Sequence, residues 1–432
     1  MIDFSKRYRS HHDSTALLKE AFTRKPGPGN YVQGLLAGEA VKPRTIYVHI
    51  PYCVKNCSFC NLNRTLITEE LQDYHRIIIE QIKKIARYRY IQSKGFESIY
   101  LGGGTPTTLA AEQLREVLEA IYTYLPIDPQ AEISVESSLS ELSEERLAVL
   151  QELGVNRLSI GVQTFVDRAR NIMGRRGSGE WAAEKLQEVI ALGFSNANID
   201  LIYNYPEQTT AELSNDLELI NRIDLAGLSF YSLILHRGSR LDQEIADGLR
   251  PRLAGIDREK AIFREIFQQL RAGGYGLLEL TKLVKPGRDQ YKYIQIKNRT
   301  GDCLALGLGA GGRLGNYLYY NGMQKELLLQ PEPALSPMGR EISEEYNIID
   351  RINGELQFGR LDFDQIAVAT GFDLKAAVPE WLVELAAMGL SKKSETELVL
   401  TDEGVFWGNN IGRELTLRLL DIFKKKKGVE GK

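Results

Sequence analysis

The chain reads as an α/β protein, a partial (β/α)6 barrel followed by a small winged-helix-like cap. Three observations lead there. Six apolar, β-branched runs alternate with amphipathic segments through the first two thirds of the chain. Each gap between runs holds one helix, the pattern of a parallel sheet joined by right-handed crossovers and covered on its outside by helices. From Pro331 onward the alternation stops and a helix-rich texture takes over. The 432 residues suit one large domain and a smaller one, with expected limits of 1–44 for an N-terminal arm, 45–330 for the barrel and following strands, and 331–432 for the cap.

Residues 1–44 are polar, with His11, His12 and a break at Pro26 to Gly29, and predict a partly ordered arm carrying one short helix over 15–23. Strands are predicted over 45–50, 97–101, 132–136, 157–163, 197–203 and 227–235. Helices are predicted over 69–88, 111–124, 143–153, 179–192, 210–222 and 258–272. In the fourth helix Ala182, Leu186, Val189 and Ile190 share one face of a 3.6-residue period. Six units fall short of a closed eightfold barrel, but reacting groups are still expected at the C-terminal ends of the strands. After the linker-like PEPALSPMGR come a helix over 342–354, a helix–turn–helix with a β-wing near 397–400, and a closing helix over 404–422. The candidate recognition helix 374–388 carries Glu380 and Glu384 and little positive charge, which argues against nucleic acid.

Hydrophobic content of 43%, charged content of 26% and a net charge of −3 are those of a soluble globular chain with no nucleic-acid footprint. No apolar run approaches the ~18 residues of a membrane span, and Lys424 to Lys427 reads as a solvated helix end. Four cysteines and no export signal point to a reducing cytoplasm.

Chemistry concentrates in TIYVHIPYCVKNCSFCNLNRT, residues 45–65. Cys53, Cys57 and Cys60 follow the first strand as C-x3-C-x2-C. A [4Fe–4S] cube offers four irons, and electron-transfer clusters fill all four with thiolates. Three thiolates leave one iron open to a small chelating ligand. Zinc is the alternative, with His49 as a fourth ligand, although structural zinc favours C-x2-C pairs. Gly102-Gly103-Gly104-Thr105-Pro106 follows the second strand and brings backbone N–H groups close to a ligand, or simply makes a tight turn. Glu136, Gln163 and Asp200 are polar residues in otherwise apolar strands, costly unless partnered. Arg175 follows twelve residues after Gln163, and an internal ion pair such as Glu136 with Arg157 is the structural alternative.

The cysteine spacing with Phe59 resembles the signature of the radical S-adenosylmethionine (SAM) enzymes. YVHIPYC, GGGTP, SIGVQTF and IDLIYNYPEQT narrow the resemblance to the oxygen-independent coproporphyrinogen III oxidase branch. Asn204-Tyr205 and Glu207 stand where that branch has glycine-leucine and glycine. The resemblance implies a radical SAM barrel in which SAM chelates the open iron and is split to a 5′-deoxyadenosyl radical. It implies cluster ligation by Cys53, Cys57 and Cys60, and SAM contacts from Tyr47, Phe59, Gly103, Gly104, Thr105, Glu136, Gln163, Arg175, Asp200 and Ile202. Residues 11–25, DCLALGLGAGG at 302–312 and TDEGVFWGNNI at 401–411 are similar to the haem-degrading methyltransferases of the branch, the anaerobilin synthases. One departure lies after the last cysteine, where Asn61-Leu62-Asn63-Arg64 replaces a Gly-Phe continuation.

These likenesses imply haem or a related tetrapyrrole as substrate, a [4Fe–4S] cluster with two SAM molecules, and a reduced flavodoxin or ferredoxin-type electron donor. The expected chemistry is ring opening without oxygen, with methyl transfer and iron release. Coproporphyrinogen oxidation and non-catalytic haem carriage are the alternatives. For the substrate, His236, Arg288, Cys303 and Arg313 are the candidate contacts, together with Arg237 and Arg240. A structural His, a buried thiol and surface cations are the bland readings. Tyr291 and Tyr293 are candidate hydrogen-atom donors.

Overall fold

A computed structural model describes residues 2–10, 12–25, 31–60, 65–67, 71–329 and 339–430. The breaks at Pro26 to Gly29 and Pro331 to Met338, His11, and Asn61 to Arg64 lie outside the described residues.

Six parallel strands form the centre: β1 (Arg44–Ile50), β2 (Phe96–Gly103), β3 (Ile127–Ser138), β4 (Arg157–Gln163), β5 (Ala197–Tyr203) and β6 (Gly227–Ser232). They pair in sequence order, β1 to β6, all in parallel register. The connecting helices are α1 (Leu71–Ile85), α2 (Ala111–Tyr124), α3 (Glu144–Glu152), α4 (Asp167–Met173), α5 (Gly179–Ala191) and α6 (Thr210–Arg222). β1 is buried along almost its whole length, as expected of a parallel strand covered on both faces. Ser143, Ser178 and Thr209 cap the starts of α3, α5 and α6, and Glu212 completes a capping box at α6.

The sheet does not close. After α7 (Arg240–Ala246) and α8 (Ile256–Ala272), the hairpin of β7 (Gly276–Glu279) and β8 (Lys282–Val284) pairs antiparallel to β6. On the other side β9 (Asp302–Leu306) runs parallel to β1, followed by β10 (Gly311–Leu314) and β11 (Tyr317–Tyr320). With the edge strands Arg340–Ile342 and Thr23–Arg24, the described sheet has 13 strands. The architecture is therefore an open, mixed α/β barrel whose six central units match the expected count. β6 ends at Ser232, three residues earlier than its apolar run, because the chain turns there into the loop before α7.

Two left-handed backbone positions fall where the sequence departs from its resemblance. Asn204 has φ 60° and Glu207 φ 59°. Glycine enters this region freely, and asparagine tolerates it better than glutamate does.

The N-terminal arm is more firmly held than its polarity predicts. Arg7 and Arg9 both pair with Glu259 of α8, Arg7 at 2.5 Å and Arg9 at 2.5 Å. Arg7 also donates to Phe406 O and Tyr203 Oη, while Asn410 caps the carbonyls of Asp3 and Lys6. At the other end of the chain, Arg360–Asp362, Ser391–Lys392 and Glu397–Leu400 form a three-stranded antiparallel sheet beside helices 363–370, 374–377 and 379–387. The helix expected over 374–388 is broken at Val378 because Pro379 starts a new one. No described helix is long and apolar enough to cross a membrane.

Candidate functional site

The loop after β1 is clasped from two sides at the C-terminal end of the sheet. Tyr52–Cys53 pairs with Thr65–Leu66. From β2, Gly104 N donates to Ile50 O and Thr105 N to Tyr52 O, both at 2.8 Å. Glycine is required at both neighbouring positions. Gly103 has φ 121°, and a Cβ on Gly104 would sit 2.5 Å from Tyr52 O and 3.0 Å from Cys53 Sγ. From the other side, Ser58 N donates to Met173 O, Ser58 Oγ to Ile172 O, and Leu241 N of α7 to Ser58 O. Phe59 packs into a small apolar cluster with Ile172, Met173, Ile202, Tyr205 and Leu241, which anchors the loop.

The result is a cavity of about 250 Å³ lined by Cys53, Cys57 and Cys60 together with Phe59, Gly103, Gly104, Thr105, Glu136, Gln163, Arg175 and Asp200. None of the chain's cysteines is disulfide-bonded. Of the residues expected around SAM, only Tyr47 and Ile202 do not line this cavity; Tyr47 lies deeper in the barrel and Ile202 lies under Phe59. His49, the alternative zinc ligand, has its Nδ1 2.8 Å from the Tyr47 hydroxyl and does not line it.

Each polar side chain is aimed by its strand. β4 bulges against β5 near its end, and Gln163 takes φ 73°, turning it toward the opening. Glu136 accepts from Tyr100 Oη at 2.6 Å and Gly103 N at 3.1 Å. The anticipated pair of Glu136 with Arg157 does not form. Arg157 instead makes a two-point pair with Asp289, at 3.0 and 3.1 Å. Burial raises the Glu136 carboxyl to about 7; the Tyr100 hydrogen bond opposes this and nearby Asp200 adds to it. Burial likewise raises Asp200. Arg175 Nη1 donates to Cys57 Sγ at 3.4 Å and Nη2 to Gly161 O, while its Nε is buried with no partner.

The substrate candidates are dispersed. His236 lies in the loop after β6, outside the cavity, its pKa lowered by burial. Arg288 sits at the opposite end of the strands, bonded to Asp224 and Ser195 O. Cys303 and Arg313 share a second cavity of about 370 Å³ beside β9–β11, where Arg313 pairs with Asp350 at 2.8 Å. Arg240 pairs with Glu244 at 3.4 Å. Between the two cavities Tyr47, Tyr100, Tyr291 and Tyr293 fill the lumen, with Tyr100 and Tyr293 stacked at 4.3 Å. Sequence reasoning passed over Tyr100, Arg170, Lys282 and Asp289. None of the four carries a local signal, since each acts through partners brought in by the fold.

An open barrel with a cysteine-bearing loop at the mouth of its first strand is the architecture of radical SAM proteins, and residues 47–220 match the radical SAM superfamily. The chain is 30% identical over 275 residues to the heme chaperone HemW of Escherichia coli K12, covering 63% of this chain and 70% of that protein. To the anaerobilin synthase of Escherichia coli O157:H7 it is 25% identical over 379 residues, covering 87% and 84%. The solved coproporphyrinogen III oxidase HemN from Escherichia coli, a radical SAM enzyme, shares the fold with a TM-score of 0.77 over 92% of this chain and 97% of that one, at 24% identity. The chain belongs to the radical SAM superfamily. Within it, the chain is related to the heme chaperone HemW and to anaerobilin synthase, and it shares its fold with HemN. Membership implies SAM and an iron–sulfur cluster as cofactors.

Proposed function

We propose that this chain is a radical SAM methyltransferase that opens the haem ring without oxygen, giving a methylated linear tetrapyrrole and free iron. The observation that supports the reading is the likeness to anaerobilin synthase across 87% of the chain, an extent that the heme chaperone HemW of Lactococcus lactis shares at 28% identity, so that haem is the common ligand of both readings. We read Cys53, Cys57 and Cys60 as the ligands of a [4Fe–4S] cluster. Phe59, Gly103, Gly104, Thr105, Glu136, Gln163, Arg175 and Asp200 are read as the SAM cradle, supported from behind by Tyr47 and Ile202. Residues 1–44, 45–330 and 331–432 are read as arm, barrel and winged-helix-like cap, and the protein as cytoplasmic.

The donor set fits these groups. Three thiols border one cavity, yet among the described residues no three His, Cys, Asp or Glu side chains converge as a single ion would require. Thiolates that each cap a different iron need no such convergence. The unpartnered Arg175 Nε can donate to a carboxylate, and Glu136 and Asp200 can accept from an ammonium and ribose hydroxyls.

When bound, the cluster and SAM supply a carbon-centred radical and a methyl group. The chain's own part is positioning and exclusion. Glu136, ionised, would hold the amino group of SAM against the Gly103 turn, and Gln163 and Asp200 would orient the remainder. The stacked tyrosines close the lumen beneath and keep bulk water from the reacting face, where proximity is worth several kcal/mol. A reduced flavodoxin or ferredoxin-type protein is the proposed electron donor.

The test is an anaerobic incubation of reconstituted protein with haem, SAM and a low-potential reductant, read by product mass. Loss of the haem absorption band, a methylated open-chain product and released iron are expected. Haem recovered intact would instead support haem carriage, the reading favoured by 30% identity to HemW. With coproporphyrinogen III as substrate, a product lighter by two carboxyl groups would support the oxidase.

A further inference from the structure

Arg170 on α4 is 2% exposed and makes no hydrogen bond or ion pair to a carboxylate among the described residues. Its guanidinium donates only to main-chain carbonyls: Val162 O at 3.3 Å, Thr164 O and Gly177 O at 2.9 Å, and Arg176 O. A buried cation satisfied solely by backbone is expensive, and here it ties the end of β4 to the turn between Gly174 and Gly177. Both glycines have φ 72°, so the turn is tight. It carries Arg175, whose own N–H donates to Arg170 O at 2.8 Å.

The same short helix also holds the other partner. Ser58, next to Cys57, is bonded twice to the last turn of α4, at Ile172 O and Met173 O. Cys57 Sγ and the Arg175 guanidinium are therefore mounted on one rigid support, 3.4 Å apart. A hydrogen bond to a cluster sulfur stabilises the more negatively charged, reduced cluster and raises its potential.

We propose that Arg175, positioned by Arg170, sets the reduction potential of the cluster through its N–H···S bond to Cys57. This rests on the reading of Cys57 as a cluster ligand, and it gives Arg175 a task that does not involve SAM. The step concerned is transfer of one electron from a low-potential donor to the oxidised cluster; no bond to the protein forms or breaks.

The experiment is an EPR-monitored redox titration of the anaerobically reconstituted full chain, without SAM, for wild type, Arg175→Gln, Arg170→Gln, Arg170→Lys and Arg176→Gln. At a fixed ambient potential, Arg175→Gln should show a ratio of reduced to oxidised cluster about tenfold lower, a midpoint lower by about 59 mV for a one-electron couple. Arg170→Gln should move it the same way without touching sulfur, and Arg170→Lys should recover part of the shift. Arg176→Gln removes an equal charge from the neighbouring residue, which is about half exposed, and should change the reduced fraction less than about threefold. Should Arg170→Gln fail to fold, Arg170→Lys against Arg175→Gln gives the same comparison.

An unchanged midpoint in Arg175→Gln, with SAM affinity alone reduced, overturns the proposal. A shift in Arg175→Gln with none in either Arg170 variant overturns the positioning role. Wild-type protein that assembles no four-iron cluster sinks the proposed function itself, and iron analysis reports that outcome before any titration.

Discussion

At the floor of the barrel, Arg157 and Lys282 are buried and both pair with the buried Asp289; at its mouth, Glu136, Asp200 and Arg175 are half-buried and their side chains make no ion pair within 4 Å among the described residues. Asp289 receives two bonds from Arg157 and lies 3.4 Å from Lys282, which also donates to Asn198. Burial alone would raise the Asp289 carboxyl, but the two cations outweigh it and hold it at about 2. Glu136, half-buried, has only a phenol and an amide as donors, and loss of solvation carries it to about 7. Similar groups, one on β3 and one in the loop after β8, thus end on opposite sides of their ordinary range. The difference separates a carboxylate held by two cations, although Arg157 Nη1 keeps no partner of its own, from carboxyls at the mouth to which no cation is bonded.

The largest effect should come from the mouth. Cys57→Ser is expected to abolish SAM cleavage by at least about a thousandfold, roughly 4 kcal/mol of transition-state stabilisation, while thermal unfolding of the protein without cofactor stays within a few degrees. Iron content and deoxyadenosine formation check the first part, calorimetry the second. Asp289→Asn should do the reverse. It leaves Arg157 and Lys282 buried without a carboxylate, at a cost of about 3–5 kcal/mol, read as a lower denaturation midpoint, with turnover per folded molecule close to normal. Wild type should also lose this contribution in acid. A carboxyl depressed from ~3.9 to about 2 stabilises above the unfolded value and loses its effect as pH falls through about 2. If Asp289→Asn instead destroyed activity in fully folded protein, the floor would belong to the site.

How much of this was legible in the sequence follows the same division. β4 and β5 match their apolar runs residue for residue, because each run is bounded by polar turns and buried along its length. The residues that gather at the mouth were visible as polar interruptions in such runs, or as glycines next to strand ends. The floor left no such signal. Arg157 and Asp289 are 132 residues apart, and Arg7 and Glu259 are 252 apart; no local period encodes either pair. Cys303 and Arg313 looked like substrate contacts because their chemistry suits one. Their strands, however, extend the sheet on the far side of β1, away from the cysteine loop. Arg170 reads as one more charge on a helix until its four backbone partners are seen.

A smaller effect tests the mouth through pH. SAM carries positive charge on its amino group and sulfonium, so its cradle should bind best when Glu136 is ionised. With the carboxyl near 7, affinity measured by titration calorimetry should fall by up to about tenfold per pH unit below that value and level off above it. Glu136→Gln should bind weakly at all pH and flatten the profile.

The smallest expected change is also the most diagnostic. Tyr100 Oη donates to Glu136 at 2.6 Å, and this bond lowers the carboxyl that burial raises. Tyr100→Phe removes the donor while leaving a ring to stack on Tyr293. The midpoint of the pH profile should therefore move upward, by up to about one unit, with the plateau affinity at high pH nearly unchanged. A purely structural tyrosine would lower the plateau and leave the midpoint where it was. A downward shift would mean that the hydroxyl serves the protonated acid, and the link drawn between burial at the mouth and ligand charge would fail. Tyr291→Phe keeps the ring over which Arg157 lies but removes the hydroxyl that faces Tyr100. It should move the same midpoint less than Tyr100→Phe does, because the bond to the Glu136 carboxyl comes from Tyr100 itself.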